Sequence, residues 1–368
     1  MAMEHKKFDP NGAIPDNGNY FGIPLTPNEA ALVLISAPWD VTVSERAGSS
    51  YAPDAIIEAS RSVDFFEPMA PYAWRKGIAT VPIDYSIQDM SHRLRSDAER
   101  IIKAYKNCSS MIDGLVYERR SRRVNEASEV VNINIHEQAA HWLAKGKIVG
   151  LVGGDQSTAY GNIRAVAEHH KHIGILHIDS TCDLREQYQG FEHSHASVMH
   201  NVLRDVEGVE RLVGVGVRAF SPAEWERAES DERIRLFTGQ QIWSGHFEGV
   251  LWSTMCDKII AELPQKVYVS LDIDGLTIEC SPHTGTSVAG GLRFPEVVYL
   301  LGKVVDSGRE IVGFDLTEVV PDLDDKTDAT IAARLLFKMC SMALKYVECD
   351  DFIISQLTPD TVRYVKPL

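Results

Sequence analysis

The sequence predicts an α/β fold in which a mostly parallel sheet lies between layers of helices. Apolar runs of strand length recur along the chain, and segments with the periodicity of amphipathic helices separate them. The runs are rich in β-branched residues with few polar interruptions, which is typical of strands buried on both faces. We predict strands at residues 31–36, 147–152, 173–178, 211–217, 266–274 and 310–316.

Helical segments fill the intervals between these strands. Their apolar residues fall on one face of a helix, as expected for helices that pack on a sheet. We predict helices at residues 93–107, 133–145, 157–170, 253–263, 294–307 and 327–345. Because strand and helix alternate along most of the chain, the strands are expected to be parallel.

Composition and charge exclude some classes of function. A chain of 368 residues with 44% hydrophobic and 24% charged residues is expected to be a soluble globular protein with a large core. Its 37 basic and 52 acidic residues give a net charge of -15. That charge repels phosphate backbones and anionic lipids, so we expect neither nucleic acid nor membrane as a partner. Small cations such as guanidines are the favoured ligands.

The N-terminal region, residues 1–28, is rich in Pro, Gly and Asn and is predicted to be an arm that precedes a single domain at residues 29–368. It has no apolar stretch of signal-peptide length, and the apolar runs elsewhere are too short to span a bilayer. Six cysteines without CxxC spacing suit a reducing compartment. We therefore expect a cytoplasmic protein, with Cys182 as a packed thiol.

Polar residues follow four of the predicted strands directly. The segments are GGDQS at 153–157, DSTCD at 179–183, DID at 272–274 and TEVVP, which begins at Thr317. In parallel sheets, ligands bind beyond the carboxyl ends of the strands. Capping of a loop or helix would explain any one of the aspartates, but it explains the whole set poorly. We therefore expect Asp179, Asp183, Asp272 and Asp274 to converge.

These segments, in this order, resemble the motifs of the ureohydrolase family, which contains arginase, agmatinase and formiminoglutamase. SAPWDVTVSERAGSSYAPDAIIEAS at 36–60, EHSHAS at 192–197, HTGTSVAGGL at 283–292 and FDLTEVVP at 314–321 extend the resemblance over most of the chain. The resemblance implies a three-layer α/β/α sandwich. It also implies a site for two manganese or nickel ions, where a bridging hydroxide attacks the carbon of a guanidinium or formimino group.

The resemblance also implies a role for each matching residue. Four aspartates match metal ligands of the family: Asp179, Asp183, Asp272 and Asp274. Gln156 and Thr181 stand where the family has its two histidine ligands. His195 matches the histidine that transfers protons, and Glu318 matches the carboxylate that pairs with the substrate cation. Arg185 is a candidate for contact with a substrate carboxylate.

Both family imidazoles are therefore missing, and neither an amide nor a hydroxyl is a strong donor to a transition metal. We expect this chain to bind no metal ion tightly. Clustered carboxylates without metal ions need protons, a weak cation or a basic side chain. Arg185 is the nearest basic residue in sequence. His177 lies on the same strand face as Asp179 and is an alternative ligand, although a hydrogen-bonded strand histidine is more typical.

Three hypotheses follow. The first is a non-catalytic supporting subunit, similar to one chain of the two-subunit metformin hydrolases. It would assemble as a trimer or hexamer with a paralogue that holds the manganese or nickel. The second is an active hydrolase of a guanidino or formimino compound with an altered metal site. The third is a metal-free protein that binds a small cation.

Overall fold

An eight-stranded sheet forms the centre of the protein in a computed structural model that describes residues 8–107 and 114–348. The strands are β1 (Leu32–Ala37), β2 (Ile78–Thr80), β3 (Ile148–Gly153), β4 (Ile173–Ile178), β5 (Val209–Val215), β6 (Ile234–Phe237), β7 (Lys266–Asp272) and β8 (Glu310–Thr317). Their order across the sheet is β2-β1-β3-β8-β7-β4-β5-β6, and neighbouring strands are parallel. The predicted fold class is confirmed.

The six predicted strands correspond to β1, β3, β4, β5, β7 and β8. The predicted strand at 266–274 was too long, because the backbone N–H of Asp274 donates to Asp272 Oδ1 and turns the chain at the end of β7. Sequence reasoning missed the two edge strands, β2 and β6. They have three and four residues, which is too few for a clear apolar pattern.

Ten helices surround the sheet in the described part of the chain. They are α1 (Ala52–Ser60), α2 (Tyr85–Lys106), α3 (Leu115–Leu143), α4 (Ala159–His170), α5 (Val198–Asp205), α6 (Pro222–Ser230), α7 (Gly239–Phe247), α8 (Trp252–Ala261), α9 (Phe294–Asp306) and α10 (Thr327–Ala343). The helix predicted at 93–107 begins earlier, at Tyr85, where the Asp84 side chain accepts from the N–H of Ser86. The helix predicted at 133–145 also begins earlier, at Leu115. The shorter helices α1, α5, α6 and α7 were missed.

Two hydrophobic clusters place the helices in two layers. One cluster joins the sheet to α1, α8, α9 and α10, through residues such as Ile56 and Leu335. The other joins it to α2, α3, α4 and α5, through residues such as Leu94 and Ile163. The protein is therefore the three-layer sandwich that the sequence predicted. Within residues 8–107 and 114–348, none of the helices has the length and apolar character needed to cross a bilayer.

The described part of the N-terminal region packs on the edge of the sheet. Tyr20 and Phe21 are buried, and their backbone N–H groups donate to Thr80 Oγ1 and Ser60 Oγ, respectively. The Tyr20 hydroxyl lies 2.9 Å from Ser36 Oγ on β1. Residues 20–25 thus cover apolar surface beside β1 and α1, while the division into an arm and one domain stays a prediction.

A chain of buried polar side chains runs between the central strands and α4. Asp315 on β8 accepts from Ser270 Oγ at 3.1 Å, and Ser270 Oγ in turn accepts from Gln156 Nε2 at 3.0 Å. Tyr268 hydrogen-bonds to Asp315, and its hydroxyl accepts from Asn162 Nδ2 at 2.8 Å. Burial raises the pKa of Asp315 to about 7, although the hydrogen bonds from Tyr268 and Ser270 oppose the shift.

We expect Asp315→Asn to become more stable relative to the wild type as the pH rises. The pKa of Asp315 is about 7 in the folded protein against 3.8 for an ordinary aspartate. The folded state therefore holds an extra proton between these values. Binding of this proton stabilises the folded state fully below pH 4. As the pH rises toward 7, the free energy of unfolding falls by roughly 1.4 kcal/mol per pH unit. Asparagine does not titrate, so the difference in unfolding free energy should shift in favour of the variant.

Urea unfolding of both proteins between pH 5 and pH 7.5 measures this difference. Asp89→Asn, on the exposed face of α2, is the matched control and should give a difference that does not vary with pH. A pH-independent difference for Asp315→Asn would show that the carboxyl of Asp315 is not protonated in the folded protein.

Candidate functional site

A cleft of about 470 Å³ opens at the carboxyl ends of β3, β8, β7 and β4, which are neighbours at the centre of the sheet. The residues that follow these strands line its floor. They are Gln156, Thr181, Asp183, Asp272, Asp274 and Glu318. His195, Arg185 and Arg218 form part of its wall. The volume suits a small molecule.

Three aspartates form a buried cluster beside the floor of the cleft. Asp179, Asp272 and Asp274 each have a carboxylate oxygen within 4.8 Å of the others. Burial is the largest cause that raises the pKa of each group, and the neighbouring carboxylates add to it. The pKa of Asp274 is raised to about 7, although Ser180 donates to both of its oxygens. Without a cation, this cluster therefore retains protons near neutral pH.

A second group joins the same cluster through Asp179. His177 Nε2 lies 2.9 Å from Asp179 Oδ2 and 3.6 Å from Asp183 Oδ2, and all three side chains are buried. Burial by itself lowers the pKa of an imidazole, but the two carboxylates outweigh it and raise the pKa of His177 to about 10. His177 therefore places a positive charge beside Asp179 and Asp183, and the Arg218 guanidinium lies near Asp274. Arg185, the nearest basic residue in sequence, pairs with Glu224 instead.

The four predicted aspartates thus lie together, but Asp183 is held differently from the others. Its backbone φ is +53°, in the left-handed region that non-glycine residues rarely adopt. Asp183 Oδ1 accepts from Thr181 Oγ1 at 2.6 Å, whereas the buried Oδ2 has no hydrogen-bond partner. Glu318 has a similar φ of +60°. Such strained backbone is concentrated at functional sites.

Gln156 and Thr181, which the sequence resemblance assigned to the family's histidine positions, have their polar atoms engaged. Gln156 Nε2 donates to Ser270 Oγ, and Gln156 Oε1 accepts from Thr317 Oγ1. Thr181 Oγ1 lies within hydrogen-bond distance of both Asp179 Oδ1 and Asp183 Oδ1. The polar atoms of both side chains are therefore engaged with protein groups in this structure.

Glu318 lies on the floor of the cleft and is fixed from two sides. Its Oε1 accepts from the backbone N–H of Gln156 at 2.9 Å, and its own N–H donates to the carbonyl of Gly154 at 2.8 Å. Burial, followed by the nearby Asp155 carboxylate, raises the pKa of Glu318 well above its ordinary value. A cationic ligand in the cleft would reverse this shift, because it favours the ionised carboxylate.

His195 lies in a single turn, His195–Ser197, that precedes α5. It faces the cleft, and its ring packs edge-on against Tyr188 with centroids 5.8 Å apart. Burial lowers the pKa of His195 to about 4, so its imidazole is neutral at pH 7. A neutral imidazole on the wall of the cleft can accept a proton from a reacting group and return it.

The wall also contains polar residues that sequence reasoning missed. Arg218 follows β5 and donates from Nη2 to the carbonyl of Asp274 at 2.6 Å. Arg185 Nη2 lies 3.5 Å from Glu224 Oε2, and its guanidinium lies 4.9 Å from the centre of the Tyr188 ring. Inspecting the residue after the 211–217 run would have identified Arg218. The sequence also contains a local pattern for Glu224, because Ser221 and Glu224 have the spacing of a capping box at the start of α6. Cys182 is a buried free thiol, as expected.

The donor set fits a hard divalent cation better than a soft one. The aspartate cluster and the set around His177 have Asp179 in common. Together they offer carboxylate oxygens from four aspartates and one nitrogen, from His177. Oxygen-rich sites favour magnesium, calcium or manganese. The buried Asp183 Oδ2 accepts no hydrogen bond, lies 3.6 Å from His177 Nε2 and is available for contact with a cation. The residues present are therefore compatible with at least one divalent cation.

Comparison with known proteins gives the same picture of fold and family. The profile of the arginase family matches residues 30–341. The N(1)-aminopropylagmatine ureohydrolase of Thermus thermophilus is 30% identical over 322 residues, which cover 86% of this chain and 92% of that protein. The agmatinase of Bacillus anthracis is 26% identical over 306 residues, which cover 83% of this chain and 89% of that protein.

Solved structures agree on the fold. The proclavaminate amidino hydrolase of Streptomyces clavuligerus superimposes with a TM-score of 0.67 at 21% identity, covering 91% of this chain and 99% of that one. The agmatine ureohydrolase of Thermoplasma volcanium gives a TM-score of 0.64 at 22% identity, covering 88% of this chain and 93% of that one. With the match over residues 30–341, these findings show that the chain belongs to the arginase family of ureohydrolases.

Proposed function

We propose that this chain is a cation-dependent hydrolase of a guanidino compound or a related linear amidine. The observation that carries the proposal is the convergence, in one cleft, of the aspartate cluster, Glu318 and His195. Relatives named as an N(1)-aminopropylagmatine ureohydrolase and an agmatinase support this reaction class. The second hypothesis from the sequence, an active hydrolase with an altered metal site, is thus preferred to the supporting subunit.

Substrate binding follows from charge. An amidinium group is planar and cationic, and Glu318 places a carboxylate on the floor of a cleft that also contains Asp183, Asp272 and Asp274. Pairing with the substrate cation stabilises the ionised form of Glu318, which burial alone disfavours. The backbone N–H of Gln156 holds Glu318 Oε1 and leaves Oε2 available to the substrate. The proposed role of Glu318 is therefore to hold and orient the amidinium.

Proton transfer is assigned to His195. Hydrolysis of a carbon–nitrogen bond expels an amine, which needs a proton as it leaves. The neutral imidazole of His195 faces the cleft and can move that proton, while Ser194 Oγ, 3.4 Å from Nδ1, restrains the ring. Asp179, Asp272 and Asp274, with His177 and Asp183, would hold the divalent cation. When bound, the cation supplies Lewis acidity and lowers the pKa of water.

The first test is hydrolysis by protein purified without a tag. We expect release of urea from at least one of agmatine, N(1)-aminopropylagmatine and arginine, or of formamide from formiminoglutamate, in the presence of manganese, magnesium or cobalt, and loss of activity with a chelator. Glu318→Gln should lower kcat/KM by about 100-fold or more, since it removes the charge that pairs with the substrate.

Glu310→Gln is the matched control, because Glu310 is exposed at the opposite end of β8. It should leave kcat/KM unchanged. Folded protein that releases no product from any substrate with any cation contradicts the proposal.

A supporting subunit is the second candidate, and the engagement of Gln156 and Thr181 favours it. In that case a metal-bearing paralogue would hold the manganese or nickel and would assemble with this chain as a mixed trimer or hexamer. The fold would serve the assembly, and the chemistry would take place in the partner.

Co-expression with such a paralogue separates the two candidates. We expect Asp272→Asn with Asp274→Asn in this chain to abolish the activity that this chain shows alone, because the substitutions remove two cation ligands. The same substitutions should leave the paralogue's own turnover unchanged. A stable mixed oligomer whose turnover survives them, together with inactivity of this chain alone, would instead establish the supporting role.

A further inference from the structure

We propose that His177 is the nitrogen ligand of the cation centre, in place of the two imidazoles that Gln156 and Thr181 do not supply. The inference rests on the proposed function, because it assumes that the cleft binds a divalent cation. It assigns a ligand from within a strand, whereas the sequence favoured a hydrogen-bonded strand histidine at this position.

The position of His177 in the sheet makes it available to the cluster. His177 and Asp179 are two residues apart at the end of β4, so their side chains leave the backbone on the same side. Its neighbours across the sheet are Gly214 on β5 and Ser270 on β7, both small. The imidazole therefore has room to lie against the aspartates, and its side chain is only 1% exposed.

The separations between the donor atoms suit a shared cation. His177 Nε2 is 2.9 Å from Asp179 Oδ2 and 3.6 Å from Asp183 Oδ2. Ligand atoms at about 2.1 Å from a metal ion and at right angles to each other are about 3.0 Å apart. The three side chains each offer one donor atom within 4.8 Å of the others. They can therefore occupy neighbouring positions around one ion without moving the backbone.

The unpartnered oxygen of Asp183 is a separate observation that points to a ligand. Buried carboxylate oxygens are normally hydrogen-bonded, yet Asp183 Oδ2 has no such partner although the residue is only 2% exposed. The oxygen faces His177, and the strained backbone of Asp183 holds it there. A cation bound between His177 Nε2 and Asp183 Oδ2 would satisfy it.

The competing arrangement is an ion pair in which His177 keeps its proton and no metal ion enters. Both arrangements use the same three side chains and place positive charge beside Asp179 and Asp183. They differ in whether the nitrogen carries a proton or a metal ion, because a ligating imidazole must be neutral. Direct detection of nitrogen bound to metal therefore decides between them.

The test measures cation binding without reference to activity. Tag-free protein is titrated with Co²⁺ and Mn²⁺ by calorimetry, and His177→Gln is compared with wild type. We expect His177→Gln to weaken binding by at least about tenfold, a loss typical for disturbed metal sites. His246→Gln is the matched control, since the His246 side chain is also largely shielded, with 17% exposed, but lies on α7 outside the cluster, and it should bind as wild type does.

A second measurement remains informative if His177→Gln does not fold. The surface tract at His169, His170 and His172 can bind metal, so these three residues are replaced by glutamine. Electron spin-echo spectroscopy of bound Mn²⁺ should then still show coupling to a histidine nitrogen. Absence of that coupling, or unchanged affinity in folded His177→Gln, overturns the inference.

The failure of this inference and that of the proposed function can be distinguished. Cation-dependent hydrolysis that is indifferent to His177→Gln overturns the ligand assignment alone. Cation binding that depends on His177, in a protein that hydrolyses no amidine, supports the ligand assignment and overturns the proposed hydrolase function. Wild-type protein that binds no cation overturns both.

Discussion

The burial of several carboxylates at one end of a parallel sheet is the constraint on which the rest of the site depends. Asp179, Asp272 and Asp274 lie within 4.8 Å of one another, and Asp183 joins them through His177. Two ionised carboxylates about 5 Å apart repel by roughly 3 kcal/mol at an effective dielectric constant of 20. Protons or positive charges must therefore accompany the cluster. Without a cation, protonated His177 supplies one positive charge from the strand. A bound cation would supply the positive charge itself and would leave His177 neutral.

The fold holds this unfavourable arrangement by fixing the backbone around it. The strand order β3-β8-β7-β4 brings four strand ends together. Asp183 and Glu318 adopt positive φ, a strain on the order of 1–3 kcal/mol each. The N–H of His200 donates to the carbonyl of Asp183, and that of Glu318 donates to the carbonyl of Gly154. These bonds keep the side chains preorganised for a ligand.

The sequence predicted those parts of the protein that depend on local pattern. The six long strands are continuous apolar runs, and the aspartates follow strand ends, so both could be placed without coordinates. The edge strand β6 escaped prediction because its four residues include the charged Arg235. The partner of Arg185 could not be predicted either, because Glu224 reaches it from α6 through a tertiary contact. The contact of His177 with Asp183 depends on the positive φ of Asp183, which no local pattern indicates.

Anomalous scattering from crystals grown with Mn²⁺ tests the central claim, that the cluster is a cation site, most directly. The account predicts a manganese peak at the cluster, about 2.2 Å from oxygens of Asp179 and Asp183, with His177 Nε2 as a ligand of the same ion. The contradictory result is a well-ordered cleft with no manganese peak at millimolar Mn²⁺ and with His177 still paired to Asp179 and Asp183. The carboxylates would then be balanced by protons, His177 and Arg218, and the cation-dependent hydrolase would be excluded.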